Sequence, residues 1–237
     1  MVASLIPEAC THGLAAHPRR CAHHRVWHIA LGAVAMLAAC VAQAAGCTGD
    51  GPRGGILGLD RCDEFEATGI YSRSNQKRVD LVVIAGTLGL AVWDGTESPR
   101  GRTAWKALDS IVTTAVATEA MKNIFQRPRP SQSNDPDLWR QGPGHKSFPS
   151  GETALMAAFV TPIIIEYRDD TPAVWALAAL PAYMARARMA SQAHWMSDVL
   201  VGAGVGVASG YFAAGRNSPL LLLPTGDGVF IGLRSRF

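Results

Sequence analysis

Apolar segments with helical periodicity occupy most of the sequence, and each ends at a proline, a glycine or a polar turn. Apolar side chains that recur every three or four residues predict helices rather than strands. The predicted helices cover residues 59–72, 76–93, 103–126, 152–167, 172–189 and 194–214. We therefore expect an all-α chain built as a helical bundle, because each apolar face has to be buried against another helix.

The last predicted helix carries glycine at every fourth position, at Gly202, Gly206 and Gly210. Such a stripe lets a neighbouring helix approach closely. Beyond it the helical pattern stops, and residues 220–223 and 229–237 flank a turn-forming segment over 224–228. This pattern predicts a short C-terminal β-hairpin within residues 216–237.

The length of the apolar runs bears on whether the helices cross a membrane. They measure about 14 to 16 residues, whereas a spanning helix needs about 20. The mean hydropathy is +0.11, with 48% hydrophobic and 17% charged residues. These values favour a soluble or peripherally attached body with buried core helices, and a membrane-embedded body is the alternative. The formal charge of +3 does not suggest nucleic acid as a partner.

The first 45 residues have the organisation of an export signal. Three arginines between residues 19 and 25 precede an apolar run over 26–39, and a small-x-small cleavage pattern follows at residues 42–44. This order predicts a signal peptide over residues 1–45 and an exported, periplasmic or envelope-associated mature chain. Two alternatives are lipid attachment at Cys40, which ends a lipoprotein-like box, and an uncleaved apolar anchor.

Cleavage at this point would decide which cysteines and histidines remain. Cys47 and Cys62 would be the two mature cysteines, and a pair in an oxidising compartment is a disulfide candidate. The alternative is two unpaired thiols. Only His145 and His194 would remain among the histidines, so any imidazole chemistry has to use one of them.

A Pro149-Ser150-Gly151-Glu152 turn opens the helix predicted over residues 152–167. Serine is a favoured N-cap residue, and glycine allows a ligand to approach the backbone. The first N–H groups of a helix then form a ready site for an anion such as phosphate. The carboxylate of Glu152 does not fit this interpretation, because it places a negative charge beside the expected anion.

Charged residues on either side of this turn could complete an anion site. Lys122 and Arg129 flank the break at the end of one predicted helix, and Arg188 precedes His194 and Asp198. On a helix, His194 and Asp198 would lie one turn apart, so that the carboxylate orients the imidazole and leaves its other nitrogen free as a nucleophile. Taken singly, the basic pair is more often a solvated helix end, and the His194–Asp198 spacing is more often a surface cap or local ion pair.

Together the three pieces resemble a known signature. Lys122-x6-Arg129-Pro130, Pro149-Ser150-Gly151-Glu152 and Arg188-x5-His194-x3-Asp198 are similar to the three motifs of the type 2 phosphatidic acid phosphatase (PAP2) superfamily. The resemblance implies a helical bundle of the PAP2/acid phosphatase type. It implies a catalytic core over residues 99–215, preceded by an N-terminal extension with the first helices over residues 46–98.

The resemblance also implies a mechanism. His194 would attack phosphorus and form a phosphohistidine that water hydrolyses, with Asp198 orienting the ring. The groups implied to hold the phosphoryl oxygens are those of Lys122, Arg129, Ser150, Gly151 and Arg188. No metal and no cofactor is expected on this scheme. The implied substrate is a phosphomonoester or a diphosphate, on a small molecule or a lipid, with peripheral membrane contact as a further expectation.

Two residues depart from the family's pattern. Ala187 stands where a serine is usual, and Glu152 replaces the histidine that protonates the leaving group. Four hypotheses follow for Glu152: burial raises its pKa so that it acts as the acid, the substrate has a good leaving group, His145 supplies the proton, or activity has been lost. In the last case the chain is a catalytically impaired envelope protein that binds phosphate-bearing ligands.

Overall fold

The computed structural model describes residues 53–216, 220–225 and 228–233. The predicted signal peptide over residues 1–45, with the lipid-attachment alternative at Cys40, lies outside these ranges, and so does Cys47. The export signal and the disulfide therefore stay predictions. Cys62, the second cysteine of the predicted disulfide, is partly buried.

Within the described residues, five α-helices form the body, so the prediction of an all-α fold is confirmed. They are α1 Arg73–Asp94, α2 Pro99–Phe125, α3 Gly151–Tyr167, α4 Ala179–Ala190 and α5 Met196–Ala214. Short 3-10 helices cover Ile56–Gly58, Gly69–Tyr71 and Pro172–Ala178. The segment predicted to begin a helix at residue 172 is therefore a 3-10 helix for its first seven residues and an α-helix only afterwards.

The helix predicted over residues 59–72 is wrong, because the chain there is irregular up to the 3-10 helix Gly69–Tyr71. The segment is held by contacts to distant elements instead of by its own hydrogen bonds. The Glu66 N–H donates to the carbonyl of Ala190 at 2.8 Å, and the Asp60 carboxylate accepts from the backbone N–H of Ser197 at 2.7 Å. These tertiary bonds override the local helical pattern.

The ends of α1 and α2 follow the capping chemistry of their sequences. The Ser72 hydroxyl accepts from a first-turn N–H of α1, and Gly95 ends that helix with a φ of 61°. Ser98 caps α2 and Pro99 occupies its first turn, so α2 begins four residues before the predicted start. It ends at Gln126 in the left-handed region, with a φ of 44°, just before the predicted break at residues 127–128.

The glycine stripe of α5 packs against α3, as predicted. A Cβ on Gly202 would collide with the carbonyl oxygen of Ser150, and one on Gly206 with that of Ala154. The two helices therefore approach each other to backbone contact, which only glycine permits. This contact fixes the N-terminal turn of α3 beside the start of α5.

The expectation that every apolar helix lies in the core is wrong for α1. Of its apolar side chains only Val83 and Ala91 are buried. Leu81, Val82 and Trp93 are 66%, 70% and 89% exposed, which exceeds what scattered surface apolar residues explain. Among the described helices, α5 alone is long and apolar enough to cross a membrane, and half of its apolar window is buried in the body.

Two paired strands follow the bundle. Strand β1, Leu220–Thr225, runs antiparallel to β2, Gly228–Leu233, with Leu220 opposite Leu233. The predicted C-terminal hairpin is thus present with somewhat different strand ends, and β1 lies beside α2.

Candidate active site

A cleft of about 400 Å³ opens where the starts of α1 and α3 meet the ends of α2 and α4 and the turn before α5. It brings together six of the predicted site residues, which come from all three motifs: Lys122, Arg129, Gly151, Glu152, Arg188 and His194. The other lining residues are Phe65, Ala67, Arg73, Ser191 and Ala193. Ser150 and Asp198 do not line the cleft and are fully buried behind it.

His194 is held in one orientation at the wall of this cleft. Its Nδ1 lies 2.6 Å from the carbonyl oxygen of Ser147. Because a carbonyl can only accept a hydrogen bond, Nδ1 carries the proton and Nε2 has a free lone pair. Burial lowers the pKa of His194 to about 4, although the nearby Asp198 carboxylate acts to raise it. The imidazole is therefore neutral and nucleophilic at neutral pH.

The predicted one-turn arrangement of His194 and Asp198 is wrong. Helix α5 begins at Met196, so His194 lies in the preceding turn, and its Nδ1 is 3.8 Å from Asp198 Oδ2. That distance is too long for a hydrogen bond. Asp198 Oδ2 instead accepts from the Ser147 hydroxyl at 2.5 Å, so the carboxylate positions the residue whose carbonyl orients His194.

Arg127 is a structural centre that the sequence analysis missed. Its side chain is fully buried and pairs with two carboxylates, Asp60 at 2.7 Å and Asp198 at 2.6 Å. The same guanidinium donates to the carbonyl of Pro136 and lies 4.5 Å from the ring centroid of Trp139. Arg127 thereby ties the end of α2 to the start of α5 and to the N-terminal extension.

The cations of the cleft are partly desolvated, which suits an anion site. Burial lowers the pKa of Lys122 and lowers that of Arg188 to about 10. Arg188 is held in place by the Gln76 side-chain carbonyl at 2.8 Å. Gly151 lets Lys122 reach the start of α3, because a Cβ at residue 151 would lie only 3.0 Å from Lys122 Nζ. An anion entering here would restore the favourable interactions that burial removes.

Ser150 does not present its hydroxyl to the cleft. Its Oγ shares a hydrogen bond with Thr153 Oγ1 at 3.0 Å, and its backbone N–H donates to the carbonyl of Asp198 at 2.9 Å. The residue therefore joins the α3 N-terminus to α5. In this arrangement the Ser150 hydroxyl is not placed to make the predicted contact with a phosphoryl oxygen.

Glu152 is an ionised partner of two arginines. Its carboxylate lies 2.6 Å from Arg73 Nη2 and 3.1 Å from Arg188 Nε. Burial raises the pKa of Glu152, but the hydrogen bond from Arg73 and the charge of Arg188 outweigh it, so that the pKa is lowered overall. The two ion pairs therefore oppose the hypothesis that burial raises the pKa of Glu152 enough for it to act as the acid.

The structure does not bring His145 into the cleft, since it lies in the loop before α3 and is partly buried. Arg73, by contrast, lines the cleft although no motif contains it. It opens α1 three residues before the start that periodicity predicted. Within the described ranges, no group of three histidine, cysteine or acidic side chains is arranged to hold a metal ion.

The fold and cleft define an all-α protein with a buried histidine in a basic anion site. The model of the PAP2 superfamily matches residues 103–217, a range that contains all three motifs. Among curated proteins, no relative matches the sequence. The crystal structure of Aquifex aeolicus LpxE is similar at 21% identity with a TM-score of 0.45, over 59% of this chain and 81% of that chain.

Proposed function

We propose that the chain is a PAP2-type phosphatase that hydrolyses a phosphomonoester or a diphosphate through a phosphohistidine on His194. The observation that carries the proposal is the orientation of the neutral His194 imidazole. The carbonyl of Ser147 holds its Nδ1 and leaves Nε2 free. The ring lies in a cleft that also contains Lys122, Arg129 and Arg188. In the first step Nε2 bonds to phosphorus, and the bond to the leaving oxygen breaks. Water then cleaves the phosphorus–nitrogen bond and releases phosphate.

The cations of the cleft supply the electrostatic part of this reaction. Phosphoryl transfer depends mainly on positioning and on stabilising charge at the phosphoryl oxygens. Lys122, Arg129 and Arg188 are the cations suited to this role, together with the N–H of Gly151. Asp198 acts through Ser147, which keeps the imidazole in the reactive tautomer.

The state of Glu152 narrows the substrate class. An ionised carboxylate held by Arg73 and Arg188 cannot donate a proton to the leaving oxygen. The reaction therefore favours a leaving group that is stable without a proton, as in a diphosphate or an aryl phosphate. A lipid diphosphate is compatible with the exposed apolar side chains of α1.

The direct test is release of inorganic phosphate from p-nitrophenyl phosphate, phosphatidic acid and a prenyl diphosphate by the purified protein. We expect the aryl phosphate and the diphosphate to be hydrolysed at least about tenfold faster than phosphatidic acid, because general acid assistance is worth about 10²–10⁴-fold where a leaving group needs it. Binding of phosphate without hydrolysis of any of the three would favour the impaired envelope protein instead.

Substitution of Glu152 tests the leaving-group argument. Glu152→His restores a group that can donate a proton, so hydrolysis of phosphatidic acid should rise by about tenfold or more while that of p-nitrophenyl phosphate changes little. Glu152→Gln should retain activity on p-nitrophenyl phosphate. Rates are compared at pH 6 to 7. Loss of activity on both substrates in Glu152→Gln would show that the carboxylate itself serves catalysis.

We further propose that the exported chain touches the envelope membrane through α1. The exposed apolar side chains Leu81, Val82 and Trp93 lie on the same helix as the exposed cations Lys77 and Arg78. An apolar helix face beside basic residues suits an anionic lipid surface.

Vesicle flotation tests this contact. The Val82→Ser/Trp93→Ser double variant should bind vesicles containing anionic lipid several-fold more weakly than the wild type, since about 0.8 kcal/mol is lost per CH₂ withdrawn from the lipid. Phe212→Ser is the control, because Phe212 is an exposed aromatic on α5. Equal flotation of all three proteins would exclude α1 as the contact.

A further inference from the structure

Arg73 and Glu152 form a two-bond ion pair at the rim of the cleft. Arg73 Nη2 lies 2.6 Å from Glu152 Oε1, and Arg73 Nη1 donates to Oε2 at 2.7 Å. The two residues are 79 positions apart, at the first turns of α1 and α3. Parallel bonds of this kind fix the geometry of both side chains.

The side-chain carbonyl of Gln76 connects this ion pair to Arg188, one of the proposed phosphate-binding cations. Gln76 is fully buried, and its Oε1 accepts from Arg73 Nη1 at 3.1 Å and from Arg188 Nη1 at 2.8 Å. Glu152 Oε2 in turn lies 3.1 Å from Arg188 Nε. Arg188 Nε makes no hydrogen bond in this arrangement, but the nearby carboxylate already neutralises part of the charge of Arg188, a cation that an incoming phosphate needs.

We propose that Arg73 is a positioning residue that holds the Glu152 carboxylate to one side of the cleft and offsets its charge, so that Arg188 can bind phosphate. This inference rests on the proposed function. Without Arg73, Arg188 would be the remaining ion-pair partner of the carboxylate among the described residues, and the carboxylate would act as an internal competitor of the phosphate. Repulsion between the two anions would be uncompensated at the same time.

A contrasting role for Arg73 is direct contact with the phosphoryl oxygens, since it lines the cleft and its side chain is 47% exposed. The two roles differ in how they depend on Glu152. A positioning residue affects phosphate affinity only while the Glu152 carboxylate is present. A direct ligand affects phosphate affinity whether or not that carboxylate is present. A double-mutant cycle separates them.

The experiment measures the Kd of inorganic phosphate at pH 7 by calorimetry for the wild type, Arg73→Ala, Glu152→Gln and the double variant. We expect Arg73→Ala to weaken binding by about tenfold and Glu152→Gln to strengthen it several-fold, as expected for adding or removing one uncompensated charge near the ligand. In the Glu152→Gln background, Arg73→Ala should change the Kd by less than about twofold. Arg73→Lys should restore most of the affinity, because it returns the positive charge.

Arg102→Ala is the control, because it removes the same charge at an exposed residue of α2 that does not line the cleft, and it should leave the Kd unchanged. An Arg73→Ala effect of equal size in both backgrounds would overturn the proposal and make Arg73 a direct ligand. An unchanged Kd in Arg73→Ala, or no phosphate binding by any variant, would also overturn it. Hydrolysis is measured separately, so a phosphatase with an additive cycle would refute the inference and leave the proposed function standing.

Discussion

Replacing His194 by alanine should lower kcat/KM at least about 10⁴-fold on every substrate, because it removes the group that forms the covalent intermediate. His194 is the only imidazole among the described residues that line the cleft. The Ser191 hydroxyl there donates to the carbonyl of Arg188, and the Glu152 carboxylate is paired with two arginines. Phosphate affinity should change far less, because Lys122, Arg129 and Arg188 remain.

Two controls make this result specific. His145→Ala removes the other histidine of the predicted mature chain, which lies outside the cleft, and should keep its activity within about twofold. Wild-type protein quenched during turnover of a ³²P-labelled substrate should carry an acid-labile, alkali-stable phosphoryl group that His194→Ala lacks. Retained hydrolysis in His194→Ala would refute the nucleophile assignment.

The helical body and the close packing of α5 on a neighbouring helix were predictable from local sequence, but the identity of that neighbour, α3, was not. Gly202 and Gly206 recur at one-turn spacing, and that spacing alone dictates a shared face. The three motifs also located six cleft residues, because their chemistry is concentrated at helix ends near prolines and glycines. Such features depend on short segments, which sequence periodicity describes well.

The partners of Arg127 and Arg73 could not be predicted in the same way. Arg127 meets Asp60 across 67 residues, and Arg73 meets Glu152 across 79. No local period relates residues so far apart, and each arginine taken alone resembles a solvated surface residue. Whether each arginine meets its carboxylate depends on how the helices pack, and local sequence patterns do not specify that packing.

The orientation of His194 illustrates the same limit at short range. Its four-residue spacing to Asp198 suggested a direct contact, but α5 begins at Met196 because the Asp198 carboxylate caps it by accepting from the Trp195 N–H at 2.9 Å. Asp198 Oδ2 accepts that bond and the bond from the Ser147 hydroxyl, and it stays 3.8 Å from His194 Nδ1. The carbonyl of Ser147, 47 residues away, takes that place.

Replacing Arg127 by methionine should destabilise the protein by about 3–5 kcal/mol, the cost typical of breaking a buried ion pair and leaving charge behind. Asp60 and Asp198 are both fully buried, and the methionine fills the space without satisfying either carboxylate. The free energy of unfolding is measured by urea denaturation at pH 7. Arg186→Ala is the matched control, because its pair with Asp63 is partly exposed and should contribute less than about 1 kcal/mol.

The pH dependence distinguishes lost charge pairing from lost packing. Burial raises the pKa of Asp198, but the nearby His194, Arg127 and Ser147 groups lower it overall from 3.8. A carboxyl with a lowered folded pKa stabilises the fold above the unfolded value, and that contribution is lost as pH falls through the folded pKa. Without Arg127 the Asp198 carboxyl protonates more readily, so the stability deficit of Arg127→Met should shrink as pH falls from 7 towards 4. A deficit that stays constant over this range would assign the effect to packing, because packing does not titrate.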